Sequence, residues 1–179
     1  SEVERELKRI KDEIRELARE AREDLERIKE HIKRSKERVE EELRRSEEEI
    51  KEIERLARER RVSEKTLDDR LRDHRRKVKK IVDDLRKSIE DLRKEIEDIV
   101  RKLKEDLDRL REEIDRLRKR GISKDDLDRL LEELERVVRE VKKRLRKLLE
   151  DYKELVDRVR KKLEDSHRRL KELAERTKK

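Results

Sequence analysis

The chain contains no proline, cysteine, methionine, tryptophan or phenylalanine, and its 179 residues include one glycine and one tyrosine. Without cysteine there is no disulfide framework, no thiolate nucleophile and no cysteine-ligated metal. With Tyr152 as the only aromatic ring there is no row of platforms on which nucleic-acid bases would stack. No long apolar run occurs, so no segment reads as a membrane span, and none reads as a signal peptide. A start on Ser1 rather than Met reads as a trimmed chain. The hydrophobic class is only 29% of residues against 64% charged, a balance that means disorder when apolar residues are scattered.

They are not scattered. From Val3 the apolar positions of the first third run Leu7, Ile10, Ile14, Leu17, then Ala21, Leu25, Ile28, Ile32, and on through Val39 to Ala57. The steps are four and three, and the series restarts so that Val3, Ala21, Val39 and Ala57 are equivalent. Eighteen residues make about five whole helical turns. A heptad repeat would impose a left-handed supercoil and an eleven-residue repeat a right-handed one. A period of 18 asks for neither, so the stripe should run nearly straight along one helix face.

The same period continues. Leu67, Leu85 and Leu103 are equivalent, as are His74, Leu92 and Leu110, then Val78, Ile96 and Ile114, and Ile81, Ile99 and Leu117. Beyond, the main line contains Leu127, Leu134, Val137, Val141 and Leu145, with Leu155 and Leu173 repeating Val137. A flanking line through Leu131, Val138, Leu149, Val156, His167 and Ala174 widens the stripe, so that this helix can touch two neighbours. Two short breaks, Arg61-Val62-Ser63-Glu64 and Gly121-Ile122-Ser123-Lys124, are one loop used twice. Ser63 and Ser123 are N-caps, and Val62 with Leu67, and Ile122 with Leu127, are hydrophobic staples. Gly121 suits the left-handed residue that ends a helix. Arg61 holds the matching place, where a side chain costs about 1–2 kcal/mol, so that loop is strained or ends differently.

The predicted fold is all-α: a single-chain antiparallel (up-down-up) three-helix bundle of long, nearly straight helices. One domain spans residues 1–179, with helices over about 2–60, 64–120 and 124–177. Outward i,i+4 pairs such as Glu23 with Arg27 and Glu41 with Arg45 add a few tenths of a kcal/mol each. Net charge is +8 with both signs mixed throughout, which does not imply specific nucleic-acid binding. The basic run Arg75–Lys80 reads as a solvated face; a sharper use is that Glu47–Glu49 lie at its height on the first helix, where opposite charges would meet and favour this pairing over others.

That height follows from tight loops: neighbours on the first two helices have numbers adding to about 124, and on the last two to about 244. The uncharged polar residues then fall into two layers. Ser46, His74, Ser166 and His167 form one; His31, Ser35, Ser88 and Tyr152 form the other. A buried hydroxyl or imidazole without a partner costs about 1–3 kcal/mol, so these groups are expected to hydrogen-bond one another and to fix helix register. The bland alternative makes His31, Ser88 and His167 boundary residues one step off the stripe. Three histidines invite a zinc site, but His31 lies roughly 25 Å from the others along the axis and no carboxylate sits on the stripe. Ser46 with His74 resembles a nucleophile–base pair, without a visible orienting acid, oxyanion donor or cleft. The reading is of no enzyme, no metal and no cofactor.

On the 18-residue repeat, the duplicated loop, Leu/Ile/Val packing, Glu/Lys/Arg surfaces and Ser/His layers, residues 1–179 resemble computationally designed helical bundles built from parametric backbones, of the kind that carry hydrogen-bond networks. The resemblance implies a monomeric scaffold with high thermal stability and no evolved ligand; no required partner, membrane association or native location is expected, and a domain-swapped dimer stays open because long helices with short hinges can exchange. The alternative is an engineered interaction module, either a helix-face binder or a pH-responsive bundle using buried histidine. A natural spectrin-like rod is disfavoured by the missing aromatics and near-perfect repetition.

Overall fold

The computed structural model describes residues 1–121 and 125–177. Three helices account for nearly all of them: α1 (Glu2–Glu59), α2 (Glu64–Lys119) and α3 (Asp125–Thr177). They pack together as an antiparallel three-helix bundle. Ion pairs between helices join Arg9 to Glu113, Arg120 to Glu6 and Lys77 to Glu49, and Arg111 to Glu135. The paired numbers add to within a few of the values expected for tight antiparallel turns.

The chain divides into two compact units, each drawing one stretch from every helix. The first comprises Ser1–His31 and Leu92–Leu149, the second Ile32–Asp91 and Glu150–Lys179. The first buries Ile10, Ile14, Ile28, Leu103, Leu110, Ile114, Leu127, Leu134 and Leu145 among others. At the loop end of the second, Ile50, Ile53, Ala57, Leu67, Leu170 and Ala174 form a core against which Val62 and Leu71 pack. Val62 thereby joins the same cluster as Leu67, as a staple requires.

Two parts of the stripe lie differently from the expectation. On α3 the buried residues are Val138, Val156 and Ala174, whereas Val137, Leu155 and Leu173 are half-buried. At 100° per residue, position 138 lies about 20° from a stripe centred on Leu127 and Leu145, and position 137 about 80° from it. Half of the line assigned as flanking, Val138, Val156 and Ala174, is therefore central, while Leu131, Leu149 and His167 are half-buried. On α2, Val82 is buried and Ile81 is not; Ile81 instead lines a groove described below.

Ser63 caps α2. Its Oγ accepts the Thr66 backbone N–H at 3.2 Å, its carbonyl accepts that of Leu67, and Thr66 Oγ1 lies 2.9 Å from its hydroxyl. Ser1 caps α1 in the same way, accepting from Glu4 N–H at 3.3 Å. The Ser123 cap and the Ile122 staple lie outside the described residues. The left-handed residue of the first loop is Arg60, with φ 52°, not Arg61. Arg60 directly follows the last helical residue. In the second loop Arg120 and Gly121 first donate to the carbonyls of Leu117 and Arg118, and only then does Gly121 take φ 75°. One further tight turn moves the left-handed site onto the glycine. Arg60→Gly should therefore stabilise the protein by about 1 kcal/mol, and Arg61→Gly should not. Ser63→Ala should cost about 1 kcal/mol; urea unfolding monitored by circular dichroism measures all three.

Candidate functional site

The polar side chains buried at core positions are Ser35, Ser46 and His74. Each occupies a place that elsewhere in the repeat holds a large aliphatic residue: Ile10 and Ile28 for Ser46, Leu17 and Ile53 for Ser35, Leu92 and Leu110 for His74. Local sequence keeps them helical, and the neighbouring helices decide what they meet.

In the second unit, Ser46 on α1 meets His74 on α2, with Oγ 3.1 Å from Nε2. The other nitrogen of His74, Nδ1, lies 2.8 Å from Nδ1 of His167 on α3. The two ring planes are 24° apart and the centroids 5.1 Å apart. That separation is the N···N distance plus one ring radius at each end. Both nitrogens therefore lie on the line joining the ring centres, and the rings meet edge to edge rather than face to face. An imidazole N–H points outward along such a radius, so the bond between them is close to linear and strong.

This geometry restricts the protons. A neutral imidazole carries one N–H, and of two nitrogens 2.8 Å apart one must donate and the other accept. The three groups thus form a directed chain. Either Ser46 donates to His74 and His74 to His167, or His167 donates to His74 and His74 to Ser46. The pair accommodates one extra proton without losing its bond; a second would set N–H against N–H, so the two rings titrate as a unit. Burial holds His74 below the ordinary 6.5, helped by the neighbouring His167 ring and by Lys77 and opposed by Glu49. Burial also lowers His167, with Arg75 and Lys171 adding to it. Lys77 itself lies 3.2 Å from both carboxylate oxygens of Glu49.

Ser166 is half-buried beside this chain and hydrogen-bonds to none of its members. The second expected layer divides further. Ser88 Oγ and the buried Tyr152 hydroxyl are 2.6 Å apart. Ser35 accepts only a long bond, 3.5 Å, from Arg38 one turn along its own helix. His31 belongs to the first unit, where Nδ1 lies 3.1 Å from Glu95 Oε2 with both side chains more than a third exposed. The physical reason is its position one residue off the stripe, which aims the ring at the helix boundary, where a carboxylate is available. The height rule would have found this pair, since 31 and 95 add to nearly 124, had charged residues been included. In the same unit Glu13 and Glu113 each bury one carboxylate oxygen without a hydrogen bond, bracketing Arg9 at 2.9 and 3.8 Å.

The second unit has a groove lined by Ser46 and His74 together with Glu42, Arg45, Glu49, Lys77, Lys80, Ile81 and Asp84. The sequence carried no sign of it. No group of three or more His, Cys, Asp or Glu able to hold a metal ion occurs among the described residues, and no helix among them is long and apolar enough to cross a membrane.

No family model and no curated protein matches the chain. A solved structure described as a computationally designed three helix bundle is similar to it, with a TM-score of 0.52 and 18% identity over 99% of this chain and 81% of the other. The likeness is one of fold. The two chains share few of the same residues.

Ser46→Ala should cost about 1–3 kcal/mol, because it strands the buried Nε2 of His74. Tyr152→Phe leaves only half-buried Ser88, which can turn to water, and should cost about 0.5–1.5 kcal/mol. Urea unfolding at pH 7 orders the two. The pH dependence has a definite sign. Unfolded imidazoles take up protons near 6.5, whereas the folded pair resists until lower pH. Across that interval the unfolded state binds more protons, so stability is complete above about 6.5 and falls as pH drops through the lowered values. The melting temperature should fall between pH 7 and pH 4.5 by more than in a variant with Ser46→Ile, His74→Leu and His167→Leu. Equal falls would show the imidazoles to be solvated.

Proposed function

We propose that this protein is a de novo designed structural scaffold, a single monomeric domain with high thermal stability and no evolved biochemical activity, cofactor or required partner. Its hydroxyl and imidazole groups serve to specify helix register. The observation that carries this reading is the chain Ser46–His74–His167, which takes one residue from each helix and replaces aliphatic residues at equivalent positions. Apolar layers slide past one another at little cost, whereas a shifted register would leave these three groups unpaired. Ser88 with Tyr152 adds a second such tie between α2 and α3. The similarity to a designed bundle of the same fold is in keeping with it.

The histidine pair favours a second reading, a pH-responsive bundle. Both rings resist protonation, and their shared hydrogen bond admits one added proton but not two.

The two are tested together by replacing the polar set with its repeat equivalents: Ser35→Leu, Ser46→Ile, His74→Leu, His167→Leu and Tyr152→Leu. On the register reading this variant is as stable as the parent or more so. It should also lose uniqueness, giving several sets of amide resonances or a mixture of masses by light scattering. A single resonance set from a monomer would remove the register role. A parent whose melting is indifferent to pH between 7 and 4.5 would remove the pH reading.

A further inference from the structure

The geometry points to Ser46 as an acylatable nucleophile, with His74 as its general base and His167 as the group that orients that base, able to take a small activated ester in the groove of the second unit. The inference goes beyond the scaffold reading and does not depend on it. The sequence alone showed the pair no orienting acid, oxyanion donor or cleft; the structure supplies an orienting imidazole and a groove. Nucleophile and base are 3.1 Å apart, and base and orienter 2.8 Å apart, all within hydrogen-bond reach. The base is fully buried and cannot turn away. Ser46 and His74 both line the groove.

One of the two proton arrangements is the reactive one. When His74 donates Nδ1–H to His167, its Nε2 is free to accept from the Ser46 hydroxyl. Ser46 Oγ then attacks the ester carbonyl carbon and forms the C–O bond, and its proton passes to Nε2 of His74. The carbon–oxygen bond to the leaving group breaks, with departure of an alkoxide or phenoxide that carries the bonding pair. The imidazolium formed on His74 keeps its Nδ1–H against His167, so the new positive charge is shared toward the half-exposed ring and not held wholly in the core. The cations lining the groove, Arg45, Lys77 and Lys80, are matched by the carboxylates Glu42, Glu49 and Asp84. An uncharged substrate is therefore the right class. Water reaching the acyl-serine would complete a turnover; the proposal requires only the first step.

Ser35 is an internal control, since it is as buried as Ser46 but has no imidazole partner. The full chain is incubated with p-nitrophenyl acetate, and acetyl groups are located by peptide mass spectrometry, which separates serine acylation from reaction at lysines and the terminal amine. Ser46 is expected to acetylate at least ~100-fold faster than Ser35, the lower range for a positioned general base. The rate should rise with pH as His74 becomes neutral and then level off. In His74→Gln, checked for helicity by circular dichroism, it should fall to the Ser35 rate. His167→Leu should slow acylation and move the pH midpoint, because the partner of His74 Nδ1 is gone; an unmoved midpoint would exclude His167 from the chain. Labelling of Ser46 no faster than Ser35 would overturn the proposal. So would a rate that climbs with hydroxide and never levels, and this can be read on the unmodified protein should the glutamine variant fail to fold.

Discussion

A polar atom removed from water must find its partner at its own height on a neighbouring helix. In a bundle made almost entirely of aliphatic layers this requirement applies at few places, and there it is strict. Leucine accepts many neighbours, but His74, with no exposed surface, has two ring nitrogens and needs a group opposite each. Ser46 and His167 meet that need from two different helices. The three helices are thereby joined at one level by hydrogen bonds.

The surface obeys a weaker rule. Many exposed ion pairs connect residues three or four apart on one helix, as Arg27 with Asp24 and Arg45 with Glu41. Each is worth little because water screens it and ordering two long side chains costs entropy. Arg27 turns to Asp24, not to Glu23 as favourable sequence order suggested, which shows how nearly equal such alternatives are. The surface charges keep the helices solvated and helical, while the few pairs that cross helices, such as Lys77 with Glu49, follow the antiparallel arrangement without dictating it.

Much of the fold was legible in the sequence. Helix ends were marked by Ser63 and by the loop residues, and antiparallel pairing followed from loops too short for any other path. Errors came where the answer depended on how far a helix is rotated about its own axis. Val138 and Val156 are central and Val137 and Leu155 peripheral, a choice between adjacent apolar residues that periodicity leaves nearly balanced. The left-handed residue fell on Arg60, not Arg61, because one hydrogen bond more or less at a helix end shifts the turn. In the polar layers, Ser46, His74, His167, Ser88 and Tyr152 came together as pairs or chains. His31 turned to Glu95, Ser35 to Arg38, and Ser166 to none of them.

The sequence by itself determined that the chain is helical and that Ser63 caps its second helix, and it put Ser46 with His74 and His167, and Ser88 with Tyr152, at common heights, because these follow from spacing along one axis. The tertiary structure decided which of them face one another, that two imidazoles meet nitrogen to nitrogen, and that a serine lines a groove. Those outcomes depend on rotation about the helix axis and on side-chain rotamers. A one-dimensional period of 18 residues leaves such angles undetermined to within tens of degrees, and a hydrogen bond tolerates far less.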